Sequence, residues 1–391
     1  MSTAAELGLV ARTRTVPGGP DLLEEVGPDD FVWLRDGVGF VASGVAATVP
    51  AREVAEFLDR IVVDDEVDAS GTGAIAVGAL PFDPGEPAAL VVPARVIGRT
   101  VDGRTWITEI GPFGERGHEG SAPPAHLERV GGTTVDEWRH AVGVALDAIA
   151  LGQVDKVVLA RDLTLRADAP FDVAAVLGRL CEQQAGTYIY AHRGLVGASP
   201  ELLVRRRAGV ASSTPMAGTA RGTDPASIDA LTNSAKDARE HRLVVEAVLA
   251  ALEPHTDSAP EVRGPEVVAL PNLVHLVTRV DVKLRADAPN ALDLARALHP
   301  TPAVGGSPTA PALALIAALE PRGRDRYAGP VGWVDATGDG EFAIALRGAT
   351  IDGAEARCFA GCGIVAGSDP EAEWAESERK LAPMLRALGA D

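Results

Sequence analysis

Two carboxylate pairs at helical spacing raise the first question of chemistry. In AGCGIVAGSDPEAEWAESERK, residues 360–380, Glu373, Glu376 and Lys380 recur at i, i+3 and i+7, which places them on one face of a helix. Asp237 and Glu240 repeat the i, i+3 spacing beside apolar Leu243, Val244 and Ala247. Two helices with paired carboxylates can hold a hard cation through oxygen ligands, and Mg2+ would keep water or take substrate oxygens at its other positions. Taken alone, acids early and a lysine late are also what a solvated helix prefers. Two further features suit an anion. Gly361-Cys362-Gly363 reads as a turn before the last helix, where glycines let backbone N–H groups approach a carboxylate and the helix N-terminus adds positive potential. Such a turn also occurs for steric reasons alone. Arg347, ending EFAIALR, could grip a carboxylate through two parallel hydrogen bonds, although a surface edge strand is the commoner place for such an arginine.

The elements that must position these residues follow from periodicity and punctuation. Residues 31–45 set Asp36-Gly37 between two β-rich runs, a hairpin signal. Proline and glycine clusters at 81–86 and 111–124 mark loops in a strand-rich first quarter and suggest a boundary near residue 120. From Thr134, Trp138, Ala141, Val142, Ala145, Ala148 and Ile149 recur at helical spacing, and Gly152 supplies a stop. KVVLARDLTL, 156–165, suits a strand that begins at Lys156. A helix at 172–184, strands from Thr187 to Thr219 with turns at Gly194 and Gly209, and one long helix over 227–253 are predicted next. Strands at 275–284, 329–336, 341–351 and 356–361 precede a last helix over 370–388, with Ser368 and Glu371 as a capping box and Pro370 in its first turn. Runs of strands with helices interspersed predict an α+β fold with antiparallel sheets.

Bulk properties narrow the function. With 391 residues and 46% hydrophobic content the chain can bury a large core, and it has no continuous apolar run long enough to span a bilayer. A net charge of -19 opposes a polyanion, so nucleic acid is excluded as a partner. No G-x-G-x-x-G or Walker A sequence supports nucleotide binding. The start lacks the basic-then-apolar order of a secretory signal, and the cytoplasm is the expected compartment. Cys181, Cys358 and Cys362 have neither disulfide-framework nor zinc spacing and read as small buried hydrophobes. The Arg205–Arg207 run reads as a solvated strand end.

Eight motifs carry a resemblance. KVVLAR at 156–161, SPELL at 199–203, MAGTARG at 216–222, AKDAREH at 235–241, HLVTRV at 275–280, LHPTPAVGGSP at 298–308, YAGPVGW at 327–333 and GCGIVAGSDPEAEW at 361–374 occur in order. Together they resemble the chorismate-utilising enzymes, which include isochorismate synthases, salicylate synthases and the synthase components for anthranilate and aminodeoxychorismate. The match is dense from residue 130 onward, and the N-terminal quarter is similar, less specifically, to siderophore-type isochorismate synthases.

The resemblance implies one chorismate-binding domain over 1–391, with a strand-rich subregion at 1–120 and a catalytic core at 121–391. It implies two large antiparallel sheets packed as a sandwich with flanking helices, and a cleft in which one Mg2+ meets a substrate carboxylate. By position, Glu240 and Glu376 would ligate the metal directly. Asp237 and Glu373 would be supporting carboxylates, Asp237 being shorter than the glutamate some members have there. Gly218, Thr219, Arg347, Gly361, Gly363 and Lys380 would contact the substrate carboxylates, and His275 would lie near the ring.

Lys156 would be the base that activates water and Glu201 the acid that protonates the leaving hydroxyl. Without the resemblance, Lys156 is a lysine at a strand start and Glu201 a turn carboxylate after Pro200. As acid and base, Lys156 must be neutral part of the time and Glu201 must stay protonated, and both demand burial. Lys156 favours water over ammonia as nucleophile, and Ala217 disfavours the aminodeoxychorismate branch. Ala303, where salicylate formers tend to have threonine, favours isochorismate as product, while Tyr327 and Leu346 occur in salicylate formers too. A salicylate synthase therefore stays the alternative, with an anthranilate synthase component or a non-catalytic member behind it. A monomer is the default.

Overall fold

The computed structural model describes residues 8–111, 124, 126–220, 222–269 and 274–390. The expected boundary near residue 120 lies outside the described residues. Two sheets, of 13 and 10 strands, form the framework, and every pairing among the described residues is antiparallel except Val10–Thr15 with Val62–Asp65. In the first sheet Lys156–Ala167, Glu355–Ile364, Gly348–Asp352, Leu195–Ser199, Tyr188–His192 and Phe31–Arg35 are successive neighbours. In the second, Leu202–Arg207, Gly340–Ile344, Pro330–Asp335 and Ile75–Ala79 are. Strands from before and after the 111–126 region thus share both sheets.

Alternation puts one side of each sheet into a common core. Trp33, Phe40 and Trp106 of the first sheet pack with Ile75, Val77 and Trp333 of the second. On the other side of the first sheet, helices Val173–Gln183 and Pro370–Leu388 bring Leu177, Leu180, Leu381 and Met384 into a second cluster. Burying four such side chains contributes roughly 1.5–3 kcal/mol each, enough to dock both helices firmly. The hairpin turn at Asp36-Gly37 forms with φ of 51° and 78°, the left-handed pair that matches strand twist. Helix Val135–Ala150 opens with a reciprocal capping box between Thr134 and Glu137.

Two of the passages between the sheets carry Glu201 and Arg347. After Leu195–Ser199 in the first sheet, Pro200 and Glu201 take the chain into Leu202–Arg207 of the second. After Gly340–Ile344 in the second sheet, residues 345–347 return it to Gly348–Asp352 of the first. The crossings lie side by side, because each incoming and outgoing strand pairs with its counterpart: Gly197 with Gly348, and Leu202 with Ala343. Ile344 N–H donates to the Glu201 carbonyl at 3.1 Å and Ala198 N–H to the Arg347 carbonyl at 3.3 Å.

Four local expectations are corrected. The segment 227–253 is two helices, Pro225–Thr232 and Ala235–Leu252. Asp224 caps the first and Ser234 the second, and two N-caps ten residues apart cannot belong to one helix. The strand expected over 341–351 is two strands broken at the crossing, with Arg347 at φ 51°. Gly361 and Gly363 do not form a turn at the helix entry. They lie within strand Glu355–Ile364, opposite Ala160 and Val158. The last helix is capped by Asp369, whose carboxylate accepts from Ala372 N–H, while Ser368 accepts from Val365 N–H in the preceding turn.

Candidate active site

One cavity opens where the sheet crossings meet the helices Ala235–Leu252 and Pro370–Leu388. Asp237 and Glu240 face it from the first helix, and Glu373, Glu376 and Lys380 from the second. Two segments more than a hundred residues apart in sequence are thereby brought to one place. Gly218, Thr219 and His275 contribute from the second sheet, Gly361 and Gly363 from the first, Glu201 and Arg347 from the two crossings. Ala303 and Tyr327 close the remaining wall. Lys156, 1% exposed, reaches this site through Glu240: its Nζ donates to Glu240 Oε1 at 2.8 Å.

Glycine at 363 is required by that contact. A Cβ there would lie 2.7 Å from Glu240 Oε1 and 2.9 Å from Lys156 Cε. The strand glycine therefore makes room for the lysine–glutamate pair. Gly218 sits at φ 78°, with Asp237 Cβ 3.1 Å from where its own Cβ would be, so it too lets backbone approach a site carboxylate.

Burial sets the protonation pattern. Glu201 is 4% exposed and its carboxyl is pushed up to about 8 by desolvation, although Met216 N–H, Lys156 and Arg347 pull the other way. Hydrogen bonding favours its ion little: the Met216 backbone N–H lies at 3.5 Å, the edge of hydrogen-bond range. His275, 6% exposed, is lowered to about 3 by burial and then by Arg347 and Lys380, so it is neutral. Its Nε2 lies 3.3 Å from Arg347 Nη2, and a guanidinium only donates, so Nε2 accepts. Its Nδ1 then carries the hydrogen toward the Gly218 carbonyl at 3.3 Å.

The carboxylate cluster is crowded. Asp237 is raised by burial and by Glu240 and Glu376, and Glu373 by burial and by Glu376. Glu376 is itself opposed by burial, but Lys380 at 2.6 Å holds it below the usual range, and Glu376 in turn raises Lys380 despite desolvation. Lys380 also donates to the Gly361 carbonyl at 2.8 Å. Arg347 is half-buried, its pKa lowered by desolvation, and its buried Nη1 has no hydrogen-bond partner among the described residues. A buried donor aimed into a cavity calls for an anion.

All-oxygen donors under mutual repulsion fit a hard divalent cation. Cys362 comes within 4.8 Å of ligand atoms of Glu373 and Glu376, but its buried thiol is raised in pKa by desolvation and donates to the Glu373 carbonyl, which makes it a packing residue. Among the described residues the cysteines are free, with Cys358 and Cys362 buried and Cys181 half-buried. Sequence reasoning overlooked Lys236, which lines the cavity with Nζ 3.7 Å from Glu373, and Arg324, which is buried and lines the same cavity. Lys236 could have been found by extending the face of Asp237 and Glu240. Arg324 carries no local signal, being one of three arginines within five residues.

The sequence and the fold place this arrangement among known proteins. The family described as "Chorismate binding enzyme" matches residues 106–389. The isochorismate synthase DhbC of Bacillus subtilis is 33% identical over 392 residues, covering 95% of this chain and 96% of that one. The isochorismate synthase EntC of Escherichia coli K12 is 36% identical over 325 residues, covering 81% of each. The menaquinone-specific isochorismate synthase MenF of Escherichia coli superposes with a TM-score of 0.83 at 27% identity, over 97% of this chain and 94% of that structure. With a match spanning most of the chain, and relatives aligned over nearly its whole length, the chain belongs to the chorismate-binding enzyme family.

Proposed function

We propose that this chain is an isochorismate synthase, which converts chorismate to isochorismate by adding water at C2 and losing the C4 hydroxyl. One observation carries the mechanism: a glutamic acid held protonated by burial and a fully buried lysine flank a cavity lined by Arg347, Lys380 and four carboxylates. Allylic displacement needs a base for the incoming water and an acid for the departing hydroxyl. Lys156 takes a proton from the water, and Glu201 gives one to the C4 oxygen, which leaves as water while the double bonds shift. The ring gains one hydroxyl and loses another, so the products balance as an isomerisation.

Positioning falls to the rest of the cavity. Arg347 and Lys380, with the backbone of Gly218, Thr219, Gly361 and Gly363, receive the substrate carboxylates. His275, neutral and oriented by Arg347 and Gly218, lies beside the ring. Glu240 and Glu376 would ligate Mg2+, with Asp237 and Glu373 behind them. Bound there, the cation neutralises a substrate carboxylate and supplies a fixed positive charge.

In this reading the chain acts as one domain, as a cytoplasmic monomer; no described helix is long and apolar enough to cross a membrane. The test is incubation of the purified protein with chorismate and Mg2+ and chromatography of the products. Isochorismate alone is expected; salicylate with pyruvate, or unchanged chorismate, would overturn the assignment.

A further inference from the structure

Strand Lys156–Ala167 is paired along one edge with Glu355–Ile364 from Val157 to Arg166, but its other edge is interrupted. It pairs there with Gly306–Ser307 at Lys156 and Val157, and with Leu127–Gly132 only from Leu163 onward. The backbone groups of Val158 and Ala160 face the gap, and buried backbone groups must find partners. Val158 N–H donates to the Gly305 carbonyl at 2.7 Å. The Val158 carbonyl accepts from Arg324 Nη2 at 2.7 Å, and Ala160 N–H donates to Glu320 Oε1 at 2.8 Å. Two side chains thus stand where a neighbouring strand would be.

Those side chains are locked to each other. Arg324 Nε donates to Glu320 Oε2 at 2.7 Å and Nη2 to Oε1 at 2.6 Å, with side-chain exposures of 2% and 9%. Arg324 Nη1 donates to the Val304 carbonyl at 2.8 Å, its guanidinium lies 4.2 Å from the Phe82 ring centroid, and its carbonyl accepts from Tyr327 N–H at 2.9 Å. Three walls of the cavity, carrying Val158, Ala303–Val304 and Tyr327, are therefore tied at one arginine, the first two by its guanidinium and the third by its backbone carbonyl. Lys156, Val158 and Ala160 share one face of their strand, and Val158 lines the cavity. A shift of the strand at Val158 and Ala160 moves Lys156 with it.

We infer that the Glu320–Arg324 pair is a positioning element for the reaction: it replaces a missing strand and fixes the direction of Lys156 relative to the Ala303–Tyr327 wall. This rests on the proposed reaction, in which Lys156 is the base. A lysine at 324 is a single point charge and cannot serve Glu320, Val158 and Val304 together.

The test pairs Glu320→Gln, which keeps an oxygen acceptor for Ala160 N–H, with Glu320→Leu, which removes it; both remove the charge. Misplacement of a reacting group by about 1 Å costs on the order of 100-fold in rate. Glu320→Leu, Arg324→Met and Arg324→Lys are expected to lower kcat by roughly that factor with KM little changed, and Glu320→Gln to retain most of kcat. Leu180→Ala, a core truncation on the far side of the first sheet, supplies a control that loses stability without this kcat effect. Hydrogen exchange read on the 156–160 peptide should rise in Glu320→Leu and not in Glu320→Gln. Equal kcat losses in the two Glu320 variants, a change confined to KM, or unchanged exchange in Glu320→Leu would overturn the inference. A wild-type protein that leaves chorismate untouched would instead overturn the reaction, with exchange still reporting whether the pair holds the strand.

Discussion

Glu201 offers the sharpest test, because one buried carboxyl controls both a rate and a stability. Its pKa rises from 4.5 to about 8 through desolvation, so between those values the folded protein holds a proton that the unfolded chain has released. Folding stability then falls as pH rises, by about 1.4 kcal/mol per pH unit. The sign follows from linkage: a raised carboxyl contributes stability that is full below pH 4.5 and lost as pH climbs through about 8. Glu201→Gln is nearly isosteric and does not titrate, so it removes this slope. Denaturant unfolding at pH 5.5 and 7.5 should show wild type losing roughly 2–3 kcal/mol relative to Glu201→Gln over that interval, with the difference levelling off above pH 8. In turnover, kcat of the wild type should decline above pH 8 as the acid ionises, and Glu201→Gln should lose about 10²–10⁴-fold at all pH values. Parallel stability profiles for the two proteins would show that Glu201 is not held protonated, and the acid assignment would fall with it.

Three further outcomes are expected. Lys156→Ala should abolish isochorismate formation, while unchanged far-ultraviolet circular dichroism shows the fold intact; wild-type rates would refute its role as base. Removing divalent cations with a chelator should stop turnover, and Mg2+ at about 100 times its Kd should stabilise the protein by about 2.7 kcal/mol, a gain that Glu376→Gln loses in a thermal-shift titration. Gly363→Ala should drive Lys156 and Glu240 apart, since the added Cβ lies within 3 Å of both, and so lower kcat and Mg2+ affinity together; a variant with normal kinetics would show that the pair has room to move.

The helices and most strands were legible because their signals are local. Asp36-Gly37, and the apolar stripe from Trp138 to Ala148 that begins after Thr134, each act within a few residues, and each element formed near its expected bounds. The split of 227–253 at the Ser234 cap and the Asp369 cap of the last helix were local signals misread, whereas the other two failures are tertiary. Arg347 ends a β-rich run and reads as a surface strand terminus, but the run is cut by the passage from one sheet to the other, and that passage depends on the pairing of Leu195–Ser199 with Gly348–Asp352. Gly361 and Gly363 look like a loop because glycine disfavours strands; they are in a strand, and at Gly363 Lys156 and Glu240 occupy the space a side chain would need. The cavity residues could be named from the family motifs, whereas Arg324 could not be singled out without the gap in the strand edge that it fills.

The charge of the cavity explains how a protein of net charge -19 accepts an anionic substrate. Asp237, Glu240, Glu373 and Glu376 are opposed locally by Lys156, Lys236, Lys380 and Arg347, so the site is close to neutral by itself although the surface is not. Chorismate enters as a dianion and the proposed cation as a dication, and the pair adds no net charge to a region of low dielectric. Neither partner alone has that property. A dianion alone would meet four carboxylates, and a dication alone would sit beside four cationic side chains. The two should therefore bind with positive cooperativity, each raising the other's affinity by the same factor. Glu373→Gln, which deletes one buried negative charge, should weaken the cation and strengthen the cation-free binding of the dianion, separating the two effects in a titration with and without Mg2+.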